Sequence, residues 1–233
     1  MKVGVCCHDA GAAEIISSYI KQKNISPLYY LSGPAIKVFE RKIGCIDNIF
    51  MLDIVNKSEW LLCGTSWKSD LEWNIIKEAK KQQKKVIVFL DHWINYRERF
   101  IRNNEEYLPD EIWVGDHYAE KIAKEIFSNL KIKLIENPYL LDIKKQLLKL
   151  GKNRVESNSV LYVCEPISEL AYFQHGDEHY WGYTEEEALR YFLTSIDEIF
   201  KARLVIIRPH PSEDLDKYDW IFDEFNHKDI KID

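Results

Sequence analysis

The chain has 233 residues, with 32 basic and 38 acidic side chains and a formal charge of −6. A mildly acidic whole lacks the basic face that non-specific nucleic-acid binding needs, so nucleic acid is not an expected partner. Hydrophobic residues make up 46 % and aromatics 13 %, enough for a real core and too much for a disordered chain. The cysteines, Cys6, Cys7, Cys45, Cys63 and Cys164, follow no metal-binding spacing and read as reduced, buried thiols of a cytoplasmic protein. The chain opens directly on a strand, so no signal peptide is expected, and no apolar run approaches the ~20 residues of a membrane span. Peripheral contact with a membrane surface stays compatible with this composition.

Strand-like and helix-like segments alternate from the start. Val3–Cys7 reads as a strand, then His8-Asp9-Ala10-Gly11, then a helix from about Ala12 to Gln22 with Ile15, Ile16 and Tyr19 on its apolar face. A strand at Pro27–Leu31 precedes a helix over Ala35–Arg41, opened by Gly33-Pro34. A third strand, Glu59–Cys63, ends in Gly64-Thr65-Ser66, and Ser69 or Asp70 caps a helix that runs to Gln83. The β-branched run Lys85–Leu90 ends at Asp91-His92, and Glu111–Val114 ends at Gly115-Asp116-His117. A helix over Tyr118–Phe127 and a sixth strand over Lys131–Glu136 follow, and then a Lys-rich amphipathic helix over Leu140–Leu150 that stops at Gly151 as a C′ glycine.

Regular alternation of this kind predicts a parallel sheet with helices on both faces. The polar clusters His8-Asp9, Gly64-Thr65-Ser66, Asp91-His92 and Asp116-His117 then fall on one edge of it, the edge where open α/β sheets bind ligands.

The polar stretch Gly151–Asn158 reads as a linker, after which the pattern restarts with a strand at Ser159–Cys164 that ends at Glu165-Pro166. Residues Tyr172 to Tyr183 read as an irregular aromatic segment. Thr184-Glu185-Glu186-Glu187 is a capping box for a helix to about Lys201. Leu204-Val205-Ile206-Ile207 lacks polar alternation and reads as a buried parallel strand. It runs into Arg208-Pro209-His210-Pro211-Ser212, where two prolines hold an arginine and a histidine in extended geometry at a strand end. Arginine matches phosphate as a fork, and histidine donates to a phosphate oxygen or carries a proton. Lys217–Asn226 reads as a short helix and Asp229–Ile232 as a last strand.

Other clusters carry their own alternatives. Asp9 is either a general base, with His8 orienting it or the reverse, or the cap of the following helix. Gly11 lets backbone approach a ligand at a helix N-terminus. Asp91, His92, Trp93, Arg97 and Arg99 lie within nine residues and either hold an anionic sugar or acceptor, or form a loop in which Arg97 and Arg99 pair with Glu105 and Glu106. His175, Asp177, Glu178 and His179 match no metal spacing, so no metal is expected there. Walker, Gly-x-Ser-x-Gly and Cys-x-x-Cys motifs are absent from the sequence.

A complete α/β domain over 1–150, a break near residue 150 and a second domain over 151–233 with an early strand ending in Arg208-Pro209-His210-Pro211 resemble a GT-B glycosyltransferase. The bacterial capsule sialyl-, polysialyl- and Kdo-transferase-like enzymes that use CMP-sugars are the nearest likeness, and CDP-glycerol phosphotransferases the next. The resemblance implies an inverting, metal-independent and cofactor-free transferase of surface-polysaccharide synthesis. It implies a nucleotide-sugar donor and a glycan acceptor as partners and a cytoplasmic location, compatible with the inner face of the membrane. It implies Asp9, His8 and Asp91 as catalytic candidates, and Arg208, His210, Pro211, Ser212 and Glu165 on the donor side. Gly11, Thr65, Ser66, His92 and Arg97 are implied on the acceptor side. Such enzymes continue well beyond the His-Pro pair, so the second domain is expected to be short and incomplete. A 2-epimerase of the same fold and a non-catalytic binding domain are the competing readings.

Overall fold

Five consecutive buried residues, Val3–Cys7, form the first strand, β1, of a sheet covered on both faces. The structure, a computed structural model, describes residues 2–66, 69–149, 158–200, 204–210 and 213–233. The chain divides into two compact units, Met1–Gly151 and Lys152–Asp233.

In the first unit β1 is followed by α1 (Ala10–Lys23), β2 (Leu28–Leu31), α2 (Pro34–Ile43), α3 (Met51–Lys57), β3 (Trp60–Cys63), α4 (Leu71–Lys81) and β4 (Lys85–Leu90). A two-residue hairpin, β5 (Ile101–Arg102) and β6 (Glu105–Glu106), precedes β7 (Glu111–Val114), α5 (His117–Ile126), β8 (Lys131–Leu134) and α6 (Pro138–Lys149). The six main strands pair in the order β2-β1-β3-β4-β7-β8, every neighbouring pair parallel. This is a Rossmann-like α/β sheet.

Alternate residues of one strand serve opposite faces. Val86, Val88 and Leu90 pack with α3, α4 and α5, whereas Ile87 and Phe89 pack with α1 and α2. A strand buried on both faces needs no polar alternation, which is why β4 is apolar from Val86 to Leu90. The short helix α3 and the β5–β6 hairpin were not expected. Each is too brief to show a period above its polar surroundings.

The chain reverses direction across the sheet between β1 and β3. The loop after β1 leads to α1 on one face, and the loop after β3 leads to α4 on the other. Such a switch point opens a crevice at the carboxyl ends of the two strands.

The second unit holds β9 (Ser159–Val163), α7 (Ile167–His175), α8 (Glu185–Ile199), β10 (Leu204–Arg208), a 3-10 turn at Leu215–Tyr218, α9 (Trp220–Glu224) and β11 (Ile230–Ile232). Its three strands are parallel in the order β11-β10-β9. The predicted capping box forms in full: Thr184 accepts from the Glu187 N–H, and the Glu187 carboxylate accepts from the Thr184 N–H.

Three expectations need correction here. Val205 and Ile207 are buried against Leu189, Leu193 and Ile221, but Leu204 and Ile206 are only half-buried, so β10 alternates rather than being buried throughout. The aromatic segment is helical as far as His175, where Gly176 ends the helix at φ +71°. The thiols are free and four are buried, but Cys45 is exposed. Leu150, the Gly151 stop, the 151–157 stretch of the linker, Lys201, Pro211 and Ser212 lie outside the described residues. Among the described residues no helix is long and apolar enough to cross a membrane.

Candidate functional site

Because all six strands of the first unit are parallel, the four polar clusters after β1, β3, β4 and β7 share one edge. The clusters at the switch point make direct contact. Asp9 has the extended backbone of a helix N-cap (φ −80°, ψ 146°), yet its side chain makes no cap bond. Instead the Asp9 carboxylate takes two hydrogen bonds on Oδ1, from His8 Nδ1 at 2.7 Å and from Ser66 Oγ at 2.8 Å. The helix-cap alternative therefore holds for the backbone and fails for the carboxylate.

His8 is clamped from three sides. Its N–H donates to Glu72 Oε1 at 2.7 Å, its Nδ1 faces Asp9, and its ring lies on Gly33. Gly33 has φ +55°, and a Cβ there would sit 2.5 Å from His8 Nε2. Only glycine fits that backbone and leaves space for the ring.

Glu72, on the first turn of α4, is the residue that sequence reading missed. Burial pushes its carboxyl up to about 7, the Asp9 charge adds to this, and the bond from the His8 N–H opposes it. An acidic residue in a first turn reads from sequence as a partner of the helix dipole. Nothing local shows that this one turns inward beneath His8.

Asp91, after β4, is buried, with 5 % of its side chain exposed. Burial raises its pKa, against the His92 and Arg99 charges, which lower it. A Cβ on Gly11 would lie 2.5 Å from Asp91 Oδ2, so the glycine in the first turn of α1 makes room for this carboxylate. Arg99 is buried, donates to Thr65 Oγ1 at 3.0 Å and stands 4.0 Å from Asp91 Oδ1. Its pKa is lowered, chiefly by burial. Arg99 thus does not pair with the 105–106 glutamates. Arg97 does, through two bonds to Glu106 of 2.7 and 3.0 Å. His92 is exposed and 3.6 Å from Asp91. Among the described residues Glu72 Oε2, Asp91 Oδ1 and Tyr96 Oη are buried with no hydrogen-bond partner, and each such group costs about 1–3 kcal/mol.

In the second unit the ends of β9 and β10 are differently built. Glu185, at the start of α8, accepts from the Ser168 N–H and Oγ at 2.7 Å each and from Lys217. Lys217 also meets Glu213 at 2.8 Å and Glu169 at 3.3 Å, and Tyr218 Oη donates to Glu213 at 3.0 Å. Against burial, which raises it, the bonds from Lys217 and Ser168 hold Glu185 at about 2. Against burial, which lowers it, Glu185 and Glu213 hold the Lys217 ammonium well above its usual value. Sequence reading gave this cluster no role.

Of the donor-side candidates, Arg208 is half exposed and paired with Asp233 at 2.6 Å. The His210 turn is fixed by reciprocal bonds with Glu213: His210 N–H to Glu213 Oε2 at 2.8 Å, and Glu213 N–H to the His210 carbonyl at 2.9 Å. Glu165 is exposed, and its carbonyl accepts from the Ile167 N–H at 2.8 Å. His175 stacks on Tyr180 at 3.5 Å and His179 pairs with Glu187, so these imidazoles have partners of their own.

No protein-family model matches the chain, and no curated protein matches it in sequence.

Proposed function

We propose that the protein is an inverting, metal-independent sugar transferase of GT-B type, moving a glycosyl group from a nucleotide-activated donor, a CMP-sugar foremost, to a glycan hydroxyl in surface-polysaccharide synthesis. The observation that carries this reading is the state of Asp9. Both hydrogen bonds to its carboxylate fall on Oδ1, and the side chain is 30 % exposed at the switch-point crevice. Oδ2 is the oxygen left to take a proton.

In this reading Asp9 Oδ2 removes the proton of the acceptor hydroxyl as that oxygen attacks the anomeric carbon. The bond from the anomeric carbon to the donor phosphate breaks, and its electron pair leaves on the phosphate. His8 is a positioning residue, since Nδ1 is on Asp9 and Nε2 is against Gly33. Of the two candidates for the base, the geometry favours Asp9. In the second unit, taken by itself, this reading takes His210 and Arg208 as the candidates for the donor phosphate, the Arg208 guanidinium exchanging Asp233 for a phosphate oxygen.

Calorimetric titration of CMP, CDP and UDP tests the reading. Wild type is expected to bind at least one of them, and His210→Ala to bind it about tenfold more weakly, the loss of one charge-assisted hydrogen bond. No heat with any nucleotide sinks the reading. Asp9→Asn is expected to lower transfer about 10²- to 10⁴-fold with nucleotide affinity unchanged. Release of free epimerised sugar without an acceptor would favour the epimerase instead.

A further inference from the structure

Trp93 lies two residues beyond Asp91 and is 52 % exposed. A large apolar ring facing solvent is usually free to move, but this one is tethered. Its Nε1 donates to Asp116 Oδ2 at 3.0 Å, while Asp116 Oδ1 accepts from the Ala119 N–H at 2.8 Å and caps α5. One carboxylate at the end of β7 thus fixes an indole beside the end of β4, the neighbouring strand. In the same loop the Tyr96 hydroxyl, on a residue 1 % exposed, has no hydrogen-bond partner among the described residues and feels the charges of Asp116, Arg99 and Asp91. Asp91 Oδ1 is likewise buried without a hydrogen-bond donor among the described residues.

We infer that this edge is a subsite for an uncharged pyranoside, its C–H face stacked on the Trp93 indole and its hydroxyls donating to Asp91 and Asp9. A fixed aromatic surface with a few placed polar groups is the usual make-up of a small-molecule site. The charge balance selects the ligand class. Asp9 and Asp91 repel one another and would repel a carboxylate or phosphate. The arginines of this loop already face carboxylates of the protein: Arg97 faces Glu106, Arg102 faces Asp70 at 2.7 Å, and buried Arg99 faces Asp91 at 4.0 Å. Of the anionic sugar or acceptor that the sequence offers for this loop, the charge balance favours an acceptor-like neutral sugar. That the pyranoside is the acceptor rests on the transferase reading; that it binds here does not.

The test is saturation-transfer NMR, without nucleotide, on a panel of methyl glycosides of glucose, galactose and N-acetylglucosamine and on the matching uronic acids. At least one neutral glycoside is expected to bind, with its ring C–H protons nearest the protein, and its uronic acid to bind at least tenfold more weakly. Trp93→Ala is expected to remove the signal, Trp93→Phe to keep part of it, and Asp91→Asn to weaken binding about tenfold. Trp93 is exposed and Asn is isosteric with Asp, and matched thermal melts would show both variants folded. No binding by any neutral glycoside, equal or tighter binding of the uronic acids, or an unchanged signal in Trp93→Ala overturns the inference. Saccharide binding by a protein that fails every nucleotide titration would sink the transferase reading and leave this subsite standing.

Discussion

The carboxyl edges of the two sheets carry similar residues arranged to opposite ends. At the first, Glu72, Asp91 and Tyr96 bury polar atoms that have no hydrogen-bond partner among the described residues. At the second, Glu185, Glu213, Lys217, Ser168 and Tyr218 satisfy one another around a single ammonium. Unsatisfied buried groups cost stability, and at a switch-point crevice they are candidates for completion by a ligand or an ordered water. A closed ionic cluster does the reverse and fixes the turns that meet on it, here the His210 turn and the N-termini of α7 and α8. The first edge leaves polar groups open, and at the second an ionic cluster fastens the turn that carries His210.

The contrast breaks most readily at Lys217. Removing the ammonium leaves Glu185 and Glu213 buried without a counter-charge, and breaking such a pair costs about 3–5 kcal/mol. Lys217→Ala is expected to lose that much in the second unit, read as amide-exchange protection in β9, β10 and β11, with β1, β3 and β4 unaffected. A loss under about 1 kcal/mol would mean that the cluster is no fastening.

Next in size is a pH dependence of opposite sign in the two units. Glu72 titrates near 7 in the folded protein and near its usual 4.5 when unfolded, so the native state binds the extra proton. Stability of the first unit therefore falls as pH rises from about 4.5 to 7, by up to about 3 kcal/mol. Glu72→Gln is expected to flatten that slope and to raise stability at pH 8, while its Oε1 still accepts from the His8 N–H. Glu185 titrates near 2 when folded, so it stabilises the second unit above about 4.5 and loses that contribution as pH falls towards 2. Exchange rates measured across pH 3 to 8 read both slopes, and slopes of the same sign would erase the distinction.

The smallest effect is expected at Arg97. Its pair with Glu106 is exposed, and such pairs contribute about 0–1 kcal/mol. Arg97→Ala should change the melting temperature by no more than a few degrees and leave saccharide binding intact. A marked loss of binding would restore Arg97 to the site.

Hydrophobic period and turn chemistry are local, and the sequence carries them openly. The run Lys85-Val86-Ile87-Val88-Phe89-Leu90 can only be satisfied between two layers, so β4 and its neighbours were legible, as was the edge on which His8, Asp9, Ser66 and Asp91 fall. The Thr184–Glu187 box was legible for the same reason, since both of its bonds close within four residues. What was not legible depends on groups far apart in the chain. Glu72 meets His8 across 64 residues, Arg99 meets Thr65 across 34, and Lys217 meets Glu185 across 32. Trp93 stood in the sequence beside Asp91, but its fixed orientation comes from Asp116, 23 residues on. The layers and the edge follow from the chain's pattern alone, because burial needs only the periodicity along one strand or helix. The tertiary structure alone decided which carboxylates lie buried without partners and which lie closed on a lysine, because that depends on how neighbouring strand ends meet.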